Sequence, residues 1–327
     1  MSNDNLINAK KAKNDEFYTQ LSDIEKELSH YPIETFKDKV VYCPCDSTDY
    51  SNGYISNFAI YFYKNFKSLG LKKLICTCYS DGINYYEYNG INEFESHRDN
   101  GDFRSEYCTN LLAEADIVVT NPPFSLFREF VKWLVDADKK FIVLGNSNAV
   151  TYKEVFKLIQ EGKLWWGNTM NGGGQHWFLL PNNLDYNTGK IETRQDGHRY
   201  AMIGTVAWWT NCDFGKRHDK IIGLNKEDYE SNGVVYYRYD NYNAIDVPRC
   251  NKIPMDYDGF MGVPTTYLGI HNTDQFEIVG ISGSLAESFR DENGKLCSGR
   301  FYINGKRIYD RIVIRHRKDE NDLSSDT

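Results

Sequence analysis

Ile117-Val118-Val119-Thr120-Asn121-Pro122-Pro123-Phe124-Ser125 reads as a buried strand that stops abruptly. Two consecutive prolines lack backbone N–H donors and have a fixed φ, so the chain must turn out of any sheet where the apolar run ends. Phe127, Phe130, Val131 and Leu134 then recur at helical spacing. The same alternation lies on either side. Upstream, Val40-Val41-Tyr42-Cys43 precedes a helical face of Phe58, Tyr61, Phe62 and Phe66, followed by Leu74-Ile75-Cys76; downstream, Phe141-Ile142-Val143-Leu144 leads to Val155, Leu158 and Ile159. Continuous apolar strands alternating with amphipathic helices predict an α/β fold, a Rossmann-like, doubly wound parallel sheet covered on both faces.

This α/β part is expected over residues 16–166, after a polar, flexible arm at 1–15. Ser22-Asp23-Ile24-Glu25 has the spacing of a capping box, and Leu21, Ile24 and Leu28 share a helical face. Asn89-Gly90, flanked by Tyr85 and Phe94, predicts a small hairpin inserted in a loop. Past Leu164 the alternation gives way to Gly172-Gly173-Gly174 and the aromatic pairs Trp165-Trp166, Trp208-Trp209 and Tyr236-Tyr237. A smaller irregular or β-rich region is therefore expected over 167–305, and a tail, first basic and then acidic, over 306–327.

A chain of 327 residues with 41% hydrophobic and 15% aromatic residues is neither disordered nor fibrous. It has no apolar run of about 18 residues and no basic-then-apolar start, so a soluble cytoplasmic protein without membrane partners is expected. Its eight cysteines read as reduced thiols. The net charge of −8 argues against a nucleic-acid partner, but the basic residues are clustered. Arg300, Lys306, Arg307, Arg311, Arg315, Arg317 and Lys318 are interrupted only by Asp310; Lys216-Arg217-His218 with Lys220, and Lys10-Lys11 with Lys13, form two further groups. Each is a solvated face or a footprint for phosphates.

The turn after the strand carries the chemistry. The Asn121 side-chain oxygen and the Pro122 carbonyl can accept two hydrogen bonds from one planar exocyclic amine, with Pro123 stiffening the turn and Phe124 offering a stacking face. Two acceptors pull such an amine towards tetrahedral geometry and free its lone pair. That suits transfer of a methyl group to an aromatic amino nitrogen, without a metal. In the other reading the motif is only a proline-stiffened strand end.

With Asp116–Glu129 around it, the motif resembles the EcoRI-type adenine-specific DNA modification methylases, which use S-adenosylmethionine. Matches in the same order are Asn14–Gln20, Val40–Cys43, Leu69–Ile75, Gly101-Asp102-Phe103-Arg104-Ser105, Val150–Phe156, Tyr239–Tyr242 and Met261-Gly262-Val263-Pro264, so the resemblance spans about residues 14–305. It implies a cofactor-binding catalytic domain at 16–166 and target recognition at 167–305. It also implies that Asn121 and Pro122 grip the N6 amine of an adenine flipped out of duplex DNA, with Phe124 stacked on the base. Phe17, Tyr18 and Thr19 match the segment that closes over the methionine part of the cofactor, Asp46 the cofactor loop, and Asp102 with Phe103 the position facing its adenosine. The loop Cys43-Pro44-Cys45-Asp46-Ser47 has no G-x-G, a departure this group shares, and Asp81 is the nearest candidate for the ribose. A cognate restriction endonuclease is a partner implied by family habit.

For contacts to DNA the candidates are Phe178 against the flipped base, and Arg194, Lys216, Arg217, Arg238 and Asn241 on backbone or base edges. Cys43-x-Cys45 and Cys76-x-Cys78 have the wrong spacing for structural zinc, and no metal is expected. Two other readings stay open: methylation of guanine N2 in RNA or of a protein glutamine on a similar platform, and a catalytically silent DNA-recognition subunit.

Overall fold

Runs of apolar residues with no polar interruption cannot leave either face in water, and in the computed structural model they form the middle of a sheet. The structure describes residues 17–48, 55–79, 82–170, 175–180, 190–291 and 293–317. β1 (Val40–Cys43), β2 (Lys73–Thr77), β3 (Tyr85–Tyr88), β4 (Glu93–Ser96), β5 (Ile117–Thr120), β6 (Lys140–Asn146), β7 (Trp165–Trp166) and β11 (Val206–Thr210) make one sheet in the order β4-β3-β2-β1-β5-β6-β11-β7. β2, β1, β5 and β6 are parallel neighbours, and the flanking strands on both sides are antiparallel. The fold is α/β as expected, with a mixed sheet. The hairpin around Asn89-Gly90 extends this sheet beside β2, and Trp208-Trp209 lies inside it.

Helices cover both faces. On one, Val41, Leu74, Ile117 and Ile142 pack with Ile24 and Leu28 of α1 (Leu21–Leu28) and Phe58 and Phe62 of α2 (Asn57–Lys64). After α3 (Phe66–Leu69) come α4 (Glu106–Glu114) and α5 (Phe127–Asp136); on the second face Tyr42 meets Trp133 of α5 edge-on at 6.5 Å. Each such buried side chain contributes about 1.5–3 kcal/mol. Gly145 of β6 is required here, because a Cβ would stand 2.2 Å from the ring of Phe127. The capping box expected at Ser22 is absent: α1 starts at Leu21, with Gln20 at its N-cap and no capping side chain. What fixes this helix is the buried Glu27, whose carboxylate accepts from the Asn168 and Thr169 N–H groups (2.9 and 2.7 Å), the Thr169 hydroxyl (2.6 Å) and the Tyr31 hydroxyl (2.9 Å).

β8 (His176–Leu179), β9 (Lys190–Thr193) and β10 (Arg199–Ile203) form a separate antiparallel sheet, ordered β8-β10-β9. By contact density the chain divides into two units. The first takes residues up to Ala149 together with Leu164–Phe214, so it continues well past residue 166; the second takes Val150–Lys163 and everything from Gly215. Hence α6 (Lys153–Gln160), which the alternating pattern assigns to the main sheet, belongs to the second unit, where Gln160 Nε2 donates to the Val279 carbonyl at 2.7 Å.

The second unit has a sheet of β12 (Arg238–Tyr239), β13 (Tyr242–Asp246), β14 (Met261–Pro264), β15 (Phe276–Ile281) and β20 (Arg311–His316), in the order β12-β13-β14-β20-β15. The four short strands β16–β19 lie between residues 289 and 307. β20 corrects the expected basic tail: it lies between β14 and β15, with Ile312, Val313 and Ile314 fully buried. Its cations are engaged, Arg311 with Asp246 (2.8 Å) and Arg315 with Glu277, while Arg300 pairs with Asp310 (3.1 Å). The arm at 1–15 and the end from 318, including the acidic stretch, lie outside the described residues.

Candidate active site

The parallel strands end on one edge, where open α/β sheets take their ligands. β5 delivers Asn121 there. After the two prolines, a single 3₁₀ turn over Phe124–Leu126 leads into α5, leaving the Phe124 ring half-buried. The Asn121 amide is fixed at its nitrogen: Nδ2 donates to the Phe17 carbonyl at 2.6 Å and to Thr19 Oγ1 at 3.2 Å. A carbonyl only accepts, so this contact sets which end of the amide is which. The other end, Oδ1, is buried and has no hydrogen-bond partner among the described residues. A buried acceptor left open is uncommon in a folded protein, and this one lies at the ligand-binding edge of the sheet, where it can take an N–H donor.

Phe17–Gln20 therefore belongs to this site although about a hundred residues separate it from the strand. Tyr18 and Leu179 exchange backbone hydrogen bonds of 3.0 Å, Asn57 Nδ2 holds the Thr19 carbonyl at 2.8 Å, and Gln20 Nε2 holds the Trp177 carbonyl at 2.5 Å. The Phe17 ring sits 6.0 Å from that of Phe124 and 6.3 Å from that of Phe178.

Asp46 follows β1 and is buried. It accepts from Thr120 Oγ1 at 2.6 Å and from Ser56 Oγ, while its N–H donates to the Thr77 carbonyl at 2.8 Å. One carboxyl thus ties together the ends of β1, β2 and β5 and the N-cap of α2. Burial pushes this carboxyl up to about 7. The unfolded chain ionises it near 4, so folding takes up a proton between the two values, and this group's contribution to stability falls as pH rises across that window. Asp46→Asn, which can still serve both hydroxyls, is expected to gain on the wild type by about 1.4 kcal/mol per pH unit over that range and to level off above it. Urea unfolding of both proteins at about pH 5 and about pH 8 checks this; a difference independent of pH would contradict it.

Gly101 has φ +69°, and a Cβ there would lie 1.7 Å from the Cys78 carbonyl oxygen, so the loop before α4 presses against the backbone leaving β2. It brings Asp102 to the same edge. Arg104 donates to both Asp102 oxygens (2.9 and 2.6 Å) and holds the carboxyl below its ordinary value. Phe103 is buried against Phe130 and Trp133. Asp81 and residues 49–54 of the loop after β1 lie outside the described residues.

The candidates for DNA contacts scatter. Arg194 lies beside the site: its guanidinium stacks 4.0 Å over Tyr200, pairs with Glu192 at 2.7 Å and donates to Gln20 Oε1 at 3.1 Å. Phe178 is corrected, since it is fully buried in the core and presents no face to a base. So is Asn241, whose Nδ2 donates to the carbonyls of Glu287 and Arg300 (2.8 and 2.9 Å) and whose Oδ1 accepts from the Tyr302 N–H (3.2 Å). Arg238 is exposed on β12, and Lys216 and Arg217 occupy a 3₁₀ turn; all three belong to the second unit. Among the described residues no cluster of His, Cys, Asp or Glu can hold a metal. The sequence reading missed Ser56, Asn57 and Thr120 as parts of the site. Thr120 had a signal, a hydroxyl ending a fully apolar strand directly before the motif.

Comparison with known proteins decides the family. The profile described as "Adenine-specific methyltransferase EcoRI" matches residues 5–99 and 83–317. The chain belongs to the EcoRI family of adenine-specific methyltransferases. Relatives include the Type II methyltransferase M.EcoRI of Escherichia coli, 42% identical over 324 residues that cover 93% of this chain and 97% of the relative. Another is M.MpnI of Mycoplasma pneumoniae, 37% identical over 95% of this chain and 98% of the relative. M.MgeORF184P of Mycoplasma genitalium is 35% identical, again over 95% and 98%. No solved structure matches. This member of the EcoRI family is a methyltransferase, and among its described residues no helix is long and apolar enough to cross a membrane.

Proposed function

We propose that this methyltransferase modifies the N6 amine of an adenine within a short specific site of duplex DNA, using S-adenosylmethionine. The open Oδ1 of Asn121 carries the reading. Its position fits a flipped base that brings an N–H donor to a buried acceptor. With the Pro122 carbonyl as the second acceptor, the amine's two N–H bonds are drawn out of the ring plane and its lone pair becomes available. Phe124 holds the base by stacking. As the N–C bond forms, the donor's sulfonium–methyl bond would break with its electron pair staying on sulfur, and the extra proton on N6, now acidic, would pass by way of the hydrogen bonds to Asn121 Oδ1 and the Pro122 carbonyl to solvent.

The residues at the strand edge fit the cofactor. The loop at Gly101 closes on the backbone where any Cβ would collide, bringing an ionised Asp102 whose Oδ2 keeps a lone pair for an exocyclic amine. Phe17, Tyr18, Asp102 and the backbone at Phe103 would hold it, while Asp46 braces the strand ends beneath and the Thr19 hydroxyl faces the Asn121 amide. When bound, it supplies an electrophilic methyl group. Arg194, Arg238, Lys216 and Arg217 are the proposed contacts to DNA, a cognate endonuclease is the proposed partner, and the cytoplasm is the compartment. Cofactor binding and catalysis are assigned to 16–166 and target recognition to 167–305, a boundary that falls inside the first compact unit, which runs on to Phe214.

The test is transfer of labelled methyl groups to unmethylated duplex DNA, followed by nucleoside analysis and mapping. N6-methyladenine confined to one short motif is expected. Label in RNA or protein alone would overturn the substrate, and DNA binding without transfer would favour the silent subunit.

A further inference from the structure

We infer that Thr19 is a positioning residue for methyl transfer, acting through the amide of Asn121 and not through the cofactor; the inference rests on the function proposed above. An asparagine amide is nearly symmetric in shape, and its two ends have opposite hydrogen-bonding character. Turned by half a revolution, it would present Nδ2 to the adenine amine, donor against donor, and the site would be inert. Phe17 prevents this, because its carbonyl can only accept and stands 2.6 Å from Nδ2.

One contact leaves the plane of the amide free to rock about that hydrogen bond. The second contact, Thr19 Oγ1 at 3.2 Å, takes the remaining hydrogen of the NH2 group, so the amide is held at two points and Oδ1 has one direction. Thr19 is in turn immobilised: it is buried to 3% exposure, its carbonyl is bonded to Asn57 at the start of α2, and its neighbour Tyr18 is stitched to β8. The hydroxyl therefore converts the position of the Phe17–Gln20 segment into the aim of the catalytic acceptor. In-line transfer is sensitive to displacements of about 1 Å, which can lower a rate about a hundredfold.

The experiment compares Thr19→Val, Thr19→Ala and Thr19→Ser in the full chain. The readouts are single-turnover formation of N6-methyladenine at saturating DNA and S-adenosylmethionine, the equilibrium affinity for each, and the unfolding midpoint. Ala and Ser both lack the methyl group and differ only in the hydroxyl, so that pair isolates the contact if the valine variant does not fold. Rates are expected to fall about 10–100-fold for Val and Ala and to return to within about threefold of wild type for Ser, with both affinities within about threefold. Unchanged rates for Val and Ala, a Ser variant no faster than Ala, or a loss residing in cofactor affinity would each overturn the proposal. A wild-type protein that leaves DNA unmethylated would fail the functional reading instead.

Discussion

Asn121→Ala is expected to lower the single-turnover rate of adenine methylation at least about 10²–10³-fold, the loss typical of removing one preorganised hydrogen-bonding group from a reacting centre. The side chain's remaining bonds, to the Phe17 carbonyl and Thr19 hydroxyl, contribute only about 1 kcal/mol each to stability, so the variant should stay folded with its midpoint lowered by a few degrees. Cofactor affinity should change little. Asn121→Asp makes a sharper control. It keeps an oxygen towards the amine but sets a second one against the Phe17 carbonyl, so it too should be slow, and its residual rate should rise at low pH as the acid regains a proton to donate. Full activity in either variant would contradict the assignment of Oδ1.

Glu27→Ala is expected to destabilise the protein by roughly 3–5 kcal/mol, measured by urea unfolding, without any direct effect on the reacting atoms. Its carboxylate is the common acceptor for two backbone N–H groups and two hydroxyls, and the substitution removes that acceptor from all four. Gly167 makes the approach feasible, since a Cβ there would stand 2.3 Å from Glu27 Oε1. Glu27→Gln retains one acceptor and turns an NH2 towards the other donors, so about half the loss is expected. A cost below about 1 kcal/mol for the alanine variant would show that the loop at 167–170 is held by other contacts.

Much of the framework was legible in the sequence because burial on both faces of a parallel sheet forces unbroken apolar runs. β1, β2, β5 and β6 lie where Val40–Cys43, Leu74–Cys76, Ile117–Val119 and Phe141–Leu144 place them, and α5 follows the Phe127, Phe130, Val131, Leu134 spacing. The charge reading of the C-terminal region failed for the opposite reason. Arg311 and Arg315 flank Ile312-Val313-Ile314, and three consecutive apolar residues inside a basic run mark a strand whose charged ends find acids elsewhere. Asn241 and Phe178 have side chains of the type that contacts bases, and type does not reveal burial. The coupling of Asn121 to Phe17 and Thr19 spans more than a hundred residues, and no local spacing encodes it.

The detour of the chain between Ala149 and Leu164 limits how such a protein can be recombined. A contiguous exchange beginning at Gly215 would graft a foreign sheet while leaving α6 behind, with its buried Val155, Phe156 and Ile159 shaped for the original β15 and its Gln160 bond to Val279 lost. The second unit therefore moves between relatives as a pair of segments or not at all, and shuffled chimaeras with a single crossover after residue 164 should be recovered less often than those exchanging 150–163 and 215–317 together.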